Sequence, residues 1–229
     1  DSFKKFADEL EKAEDFEKAL HDLIRKTIKE HKRIIFNGNG YDDTWIEEAV
    51  NNRGLLNYRT TADCIPHLLD KKNVDMLISQ RIYVRAEITS RYESTLENYV
   101  KTILIEANTM IDMAKSQIIP SVINYTSALA ETANKKKKLC EEISVRYEFT
   151  TVKKLSGLVD EMCEALEALE QAVGAVNAAS NIEEQANLMR DLVLVKMDEL
   201  RKPCDEAETM TDKAYWPYPS YGDLLFGVR

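Results

Sequence analysis

Apolar residues recur along most of the chain at three- and four-residue steps, the period of a helix buried on one face. Phe3, Phe6, Leu10, Ala13, Phe16, Leu20, Leu23, Ile24 and Ile28 form the first such stripe and predict one helix ending near Arg33. Asn37-Gly38-Asn39-Gly40 breaks it, because Asn and Gly tolerate positive φ and Asn-Gly is a strong turn dipeptide. Asp42 or Asp43 can then cap a short helix through Asn52 that Gly54 stops. Thr60 or Thr61 can cap another, with Pro66 near its first turn.

From about Arg85 the stripe lengthens: Ile88, Tyr92, Leu96, Tyr99, Ile103, Ala107, Met110, Ala114, Ile118, Val122, Tyr125, Leu129 and Ala133 continue without a glycine. A helix of some 50 residues is about 75 Å long at about 1.5 Å per residue, more than one globular core spans. Pro120 lies inside it, and because the stripe resumes in phase, a kink rather than a stop is expected there. Leu155, Leu158, Met162, Leu166, Leu169, Val173 and Val176 make a near-heptad seam on a second helix. Asn181 can cap a third, with Ile182, Ala186, Met189, Val193, Met197, Leu200, Cys204 and Ala207 inward and a bend at Pro203. Residues 176–181 are the turn between them. The predicted fold is all-α: a long kinked helix and two antiparallel helices in a bundle, preceded by short helices and loops and followed by an extended aromatic and proline tail.

That tail carries Tyr215, Trp216, Tyr218, Tyr221 and Phe226 within 15 residues, with Pro217 and Pro219 favouring an extended, low-entropy chain. These five residues are the candidate docking residues, since Trp and Tyr each bury roughly 150 to 250 Å² when covered. The arm docks either on another surface or back on its own bundle.

Composition agrees with helix and narrows function. Seven Gly and five Pro in 229 residues are far below ordinary usage, which excludes collagen-like and turn-rich β chains. The net charge of −9 argues against a phosphate-neutralising surface, so no nucleic acid is expected as partner. No window approaches the ~18 uninterrupted apolar residues of a membrane span, so no membrane is expected either. Cys64, Cys140, Cys163 and Cys204 are too widely spaced for a metal knuckle or a compact disulfide framework, and are read as reduced, mostly buried and cytoplasmic. The chain opens at Asp1 without Met, as an excerpt from a longer protein would.

Few residues offer chemistry. His21, His31 and His67 all precede the bundle, so neither a Glu-x-x-His di-metal site nor a hydrolytic triad can be built from residues 68–229 alone. The Asn37–Gly40 run lacks the spacing and Lys-Ser/Thr of a phosphate loop and is read as a turn. Glu93, Glu97, Glu106, Asp112, Glu164, Glu167 and Glu170 mostly fall off the apolar seam. Glu106, beside Ile103 and Ala107, is the carboxylate nearest the core and is read as a partly exposed ion pair. Lys135–Lys138 point around the helix rather than forming a face and are read as a solvated helix end, with the acidic stretch 151–213 as the nearest counter-charge.

Four stretches, KRIIFNGNGY (32–41), RGLLNYRTTADCIPHL (53–68), SRYESTLENYVKTILIEANTMIDMAKSQIIPSV (90–122) and YWPYPSYGDLLF (215–226), resemble the C-terminal part of type III glutamine synthetases, in family order. The resemblance implies a parent enzyme that joins glutamate and ammonia at the expense of ATP, with Mg or Mn clamping the phosphates. It places the catalytic groups upstream, so no catalytic, cofactor-binding or metal-binding residue is assigned to this segment. It further implies that residues 1–80 end the catalytic domain and connect onward, that 81–213 form a C-terminal helical bundle, and that 214–229 are a docking tail. The implied partners are the upstream catalytic domain and other subunits of a cytoplasmic homo-oligomer. The competing reading is a free-standing helical adaptor that binds a protein through its bundle and tail. A bundle metalloenzyme is a distant third.

Overall fold

The computed structural model describes residues 2–227. Asp1, where the chain opens, and Val228 and Arg229, the last two residues assigned to the tail, lie outside the described residues. Helices and connecting turns account for the described chain, and it divides into two compact units, residues 1–89 and 90–229. The all-α reading holds.

In the first unit the N-terminal stripe is not one helix. It forms α1 (Ser2–Leu10) and α2 (Phe16–His31), separated by a turn in which the Asp15 side chain accepts the Lys18 N–H and caps α2. The stripe is continuous in sequence because both helices turn the same kind of face toward each other: Phe3, Phe6 and Leu10 line an apolar groove with Leu20, Leu23 and Ile24. A single helix would leave that stripe without this partner; folding back at Asp15 buries Leu23 and half-covers Phe6, Leu10 and Leu20. The capping aspartate was the available signal.

Asp42 caps α3 (Asp43–Glu47), accepting the Thr44 N–H at 3.0 Å, and a π-turn over Glu48–Asn52 carries the chain to Gly54, whose φ of +63° suits glycine. The Asn37–Gly40 turn is packed onto this helix. Phe36 stacks on Trp45 with ring centroids 3.9 Å apart. The Arg53 guanidinium lies 4.8 Å from the Trp45 ring centre, donates to the Ile35 carbonyl at 2.8 Å and pairs with Glu48. The turn is thus pinned by aromatic and cationic packing. Thr60 caps α4 (Thr61–Cys64), which passes through a 3-10 turn containing Pro66. A further helix that the periodicity did not reveal, α5 (Lys71–Ser79), is followed two residues on by Arg81 at φ 55°.

The second unit is built around the long helix. α6 (Arg85–Met113), a π-turn over Ala114–Ile118 and α7 (Ile119–Leu139) run without interruption. The expected disturbance at Pro120 takes a definite form. Proline has no N–H to return to the turn before it, and the chain accommodates this by widening one turn, with the Ile119 N–H donating to Ala114 O five residues back. α8 (Arg146–Ala178) returns antiparallel, and α9 (Ile182–Leu188), a second π-turn and α10 (Leu194–Met210) run parallel to α6. Cross-links fix the register: Lys115 with Glu170 at 3.0 Å, Tyr92 donating to Glu183 at 3.0 Å, and Lys154 with Glu206 at 2.8 Å. Exposed pairs of this kind contribute at most about 1 kcal/mol each, so they align helices that apolar burial holds.

That burial follows the sequence closely. All seven seam positions of α8 are buried, as are Leu96, Ile103, Ala107, Ala114, Ile118 and Val122 on the long helix and Ala186, Met189, Val193, Leu200, Cys204 and Ala207 on the third. Asn181 caps α9 by accepting the Glu184 N–H at 2.9 Å, and α10 continues through a buried Pro203. The cysteine reading needs correction: Cys204 is buried, but Cys64, Cys140 and Cys163 are exposed. Cys163 follows the buried Met162 and is rotated about 100° off the seam, while Cys140 sits in the turn after α7.

α10 ends one turn beyond the Lys154–Glu206 pair, short of the ends of α7 and α8, whose last and first turns form the tip. Glu148, only 5% exposed, is held there by Lys136, and this hydrogen-bonded ammonium keeps the carboxyl below the usual glutamate range. The neighbouring Lys135 pairs with Glu131 and Lys137 donates to the Glu141 carbonyl, both at the surface.

Two outcomes follow from this packing. Leu155→Ala, which hollows the seam where α7, α8 and α10 meet, should lower unfolding free energy in urea by about 2 to 5 kcal/mol. In Gly38→Ala the new Cβ would stand 2.6 Å from the Phe36 ring, which must leave Trp45 or strain the turn; Gly40 has nothing within 4 Å. Gly38→Ala should therefore shift Trp45 fluorescence and cost about 1 to 3 kcal/mol in that unit, whereas Gly40→Ala leaves the emission unchanged.

Candidate docking surface

The arm begins where α10 ends. The Thr211 hydroxyl, buried, donates to Ala207 O at 2.8 Å, and the Tyr215 and Trp216 N–H groups both donate to the Asp212 carbonyl, closing a turn that aims the chain back over the bundle. Tyr215 then packs on Tyr125 of α7, ring centroids 5.3 Å apart. Tyr218 goes deeper: its hydroxyl is buried without a hydrogen-bond partner among the described residues, and burial, with Asp112 and Cys204 nearby, pushes the phenol up. Trp216 is half-buried.

The tail is not the extended chain expected: it reaches Pro219 through the turn at 213–215 and a bend at 217–218. Ser220 then caps α11 (Tyr221–Phe226) in a reciprocal capping box: the Ser220 hydroxyl accepts the Asp223 N–H, and the Asp223 carboxylate accepts the Ser220 N–H at 2.8 Å. The prolines halt helix only up to position 219, and the Ser-x-x-Asp spacing beyond them is the signal for a new one. Asp223 also accepts from Lys213 at 2.6 Å, which fastens α11 to the root of the arm. The Lys213 hydrogen bond, followed by the two from Ser220, brings the Asp223 carboxyl down from 3.8 to about 2.

The five candidate residues therefore separate into two groups. Tyr215, still 38% exposed, packs on Tyr125 and Tyr218 is seated with its hydroxyl buried, with the half-buried Trp216 between them, while Tyr221 and Phe226, 83% and 81% exposed, stand on α11 with exposed Leu224 and Leu225. Beside the arm a groove of about 500 Å³ opens between α6 and α10, lined by Ile105, Thr109, Met110, Met113, Met197 and Cys204, with Glu106, Arg201 and Asp205 at its polar edge. The phenol of Tyr221 lies within electrostatic reach of Arg201. Burial pushes the Cys204 thiol up to about 11, so it behaves here as a small apolar group. Sequence periodicity had located both walls of this groove but not the space between them.

The other candidates remain dispersed. His21 and His31 are exposed; His67 is half-buried, stacked on Tyr58 at 4.2 Å and paired with Asp70. Glu93, Glu97, Glu106, Asp112, Glu164, Glu167 and Glu170 are all exposed, Glu97 pairing with Lys101 and Asp112 accepting from Ser116. Among the described residues no group of three or more His, Cys, Asp or Glu side chains is placed to hold a metal ion, so the Mg or Mn of the implied parent finds no fitting donor set here. No helix among them is long and apolar enough to cross a membrane.

The fold and arm define an all-α bundle with an anchored, apolar-tipped extension. The sequence profile of the "Glutamine synthetase C-terminal domain" matches residues 19–137, just over half the chain, and the chain belongs to that family. It is 35% identical over 216 residues to a glutamine synthetase of Butyrivibrio fibrisolvens, covering 94% of this chain and 31% of that protein. It is also 27% identical over 217 residues to the type-3 glutamine synthetase of Dictyostelium discoideum, and 28% over 216 residues to a glutamine synthetase of Bacteroides fragilis (strain YCH46). Those alignments cover 91% and 92% of this chain and 29% of each relative. The chain thus spans about three-tenths of the length of these relatives.

The depressed Asp223 carboxyl sets a pH dependence. Its contribution to fastening α11 is complete above its ordinary value of 3.8 and is lost as pH falls through about 2. Carboxyl carbon NMR titration should find Asp223 still ionised at pH 3. In Lys213→Met the midpoint should rise toward the ordinary value while the Ser220 bonds keep it from reaching it.

Proposed function

We propose that this chain is the assembly and docking segment of a type III glutamine synthetase, whose whole polypeptide makes glutamine from glutamate, ammonia and ATP in the cytoplasm with Mg or Mn. The bond-making groups lie outside residues 1–229. The bundle provides a rigid frame for the arm, and residues 1–80 connect it to the catalytic domain. The partners are that domain and other subunits of the same enzyme.

One observation carries this reading: an arm anchored by Tyr215 and Tyr218 leads into an α11 whose Tyr221, Leu224, Leu225 and Phe226 are exposed together. Apolar residues clustered on six positions of helix, tethered by an ion pair and a capping box, are organised for a contact that the chain itself leaves unmade. Family membership supplies the context that a free-standing adaptor would lack.

The test uses two proteins. The 229-residue chain should show no glutamine formation or γ-glutamyl transfer with ATP and Mg or Mn present. In the full-length synthetase that carries this segment, removing residues 214–229 should lower the assembled mass by light scattering while leaving the bundle helical. Activity in the 229-residue chain, or an unchanged mass after removal of the arm, would overturn the proposal.

A further inference from the structure

Two Asn-Gly pairs, Asn37-Gly38 and Asn39-Gly40, follow one another in the exposed turn before α3. In such a pair the side-chain amide can react with the backbone nitrogen next to it, because glycine puts no Cβ in the way. The turn treats the two pairs differently.

Gly38 is held. A Cβ there would stand 2.6 Å from the Phe36 ring, and that ring is stacked on Trp45, so the Asn37-Gly38 peptide cannot rotate without undoing the stack. The Asn37 side chain makes no hydrogen bond among the described residues, so nothing keeps its carbonyl over that peptide. Gly40 is the opposite, with nothing within 4 Å of its Cβ position. Asn39 Oδ1 accepts the Tyr41 N–H at 3.1 Å, which closes a ring through Cγ and the Gly40 peptide and folds the side chain back toward the Gly40 nitrogen. The Asn39 carbonyl accepts the Asp42 N–H at 3.3 Å and fixes the turn around this contact, while the Gly40 N–H has no partner among the described residues. The Tyr41 N–H is therefore already aimed at the oxygen that becomes negative when Cγ is attacked, the placement that stabilises an oxyanion.

We infer that Asn39 is a site of self-modification by deamidation, and that the turn confines the reaction to this asparagine and spares Asn37. The Gly40 nitrogen gives its proton to water or buffer base and bonds to Asn39 Cγ. The Cγ–Nδ2 bond breaks, and the amide nitrogen takes up a proton and leaves as ammonia. Water then opens the resulting cyclic imide at either carbonyl. Attack on one side leaves aspartate; attack on the other leaves isoaspartate, with the backbone rerouted through the side chain. One water is consumed and one ammonia released, with no oxidant, reductant or enzyme required. Either product puts a new negative charge beside Asp42 and Asp43, and the isoaspartyl form also adds a methylene to the backbone of a turn that Phe36 and Arg53 pin at its other end.

The experiment follows the 229-residue chain in warm neutral buffer, folded and in parallel in urea, by peptide mapping that separates asparagine, aspartate and isoaspartate. In the folded chain position 39 should convert while position 37 stays asparagine. In urea Asn37 should convert as fast as Asn39, whose own rate should not rise. Gly40 has no positive φ, so Gly40→Ala keeps the turn; it should slow conversion at position 39 by about tenfold or more, since a Cβ crowds the approach of the nitrogen to Cγ. Three results would each overturn the assignment: position 39 intact in the folded chain, position 37 converting as fast as 39 there, or a rate at position 39 that climbs on unfolding. Conversion undiminished in Gly40→Ala would do the same, because it would mean that the Gly40 nitrogen is not the attacking group.

Discussion

The second unit depends on one constraint: α8 must bury a seam against two neighbours at once. Leu155, Leu158, Met162, Leu169 and Val176 are each almost fully removed from water, and side chains of this size contribute about 1.5 to 3 kcal/mol apiece when covered. The long helix supplies one wall of that seam and α9–α10 the other. No part of the long helix could remain helical over its length as a free rod, since isolated helices draw most of their stability from the face they bury. The two π-turns follow from the same demand. Each lets a helix gain one residue and keep its apolar face directed at α8, once before Pro120 and once through the buried Met189 and Val193.

Where this packing stops, polar groups finish the surface. α10 ends before the bundle does, and the exposed tip is closed by Lys136 reaching over the buried Glu148. At the same end α10 releases the arm, whose first aromatic residues return to cover Tyr125 and the end of the groove. The placement of α11 is thus a consequence of helix lengths: the arm starts from Met210 and is drawn back by Tyr215 and Tyr218.

The bundle was legible in the sequence because helix period, seam and caps agree. Every α8 seam position is buried, and Asn181 caps the third helix. What escaped periodicity was what depends on local polar competition. The break between α1 and α2 is set by one aspartate within an unbroken apolar stripe, and α11 is set by Ser220 and Asp223 beyond two prolines. The exposed cysteines show the converse: residue type predicted burial, and position on the helix decided otherwise. The arm's composition marked it as a docking element, yet nothing in it announced that Tyr215 and Tyr218 anchor while Tyr221 and Phe226 project. That division comes from the register at which the arm crosses α7 and α10, a tertiary quantity.

Hydrogen exchange along the chain tests most directly whether α8 is the spine on which the rest depends. Amides of residues 155–176 should be the slowest to exchange, and those of 96–118 and 189–207 should follow them as one cooperative class lost together in mild denaturant. Exchange of α8 before the long helix, or separately from it, would contradict the account.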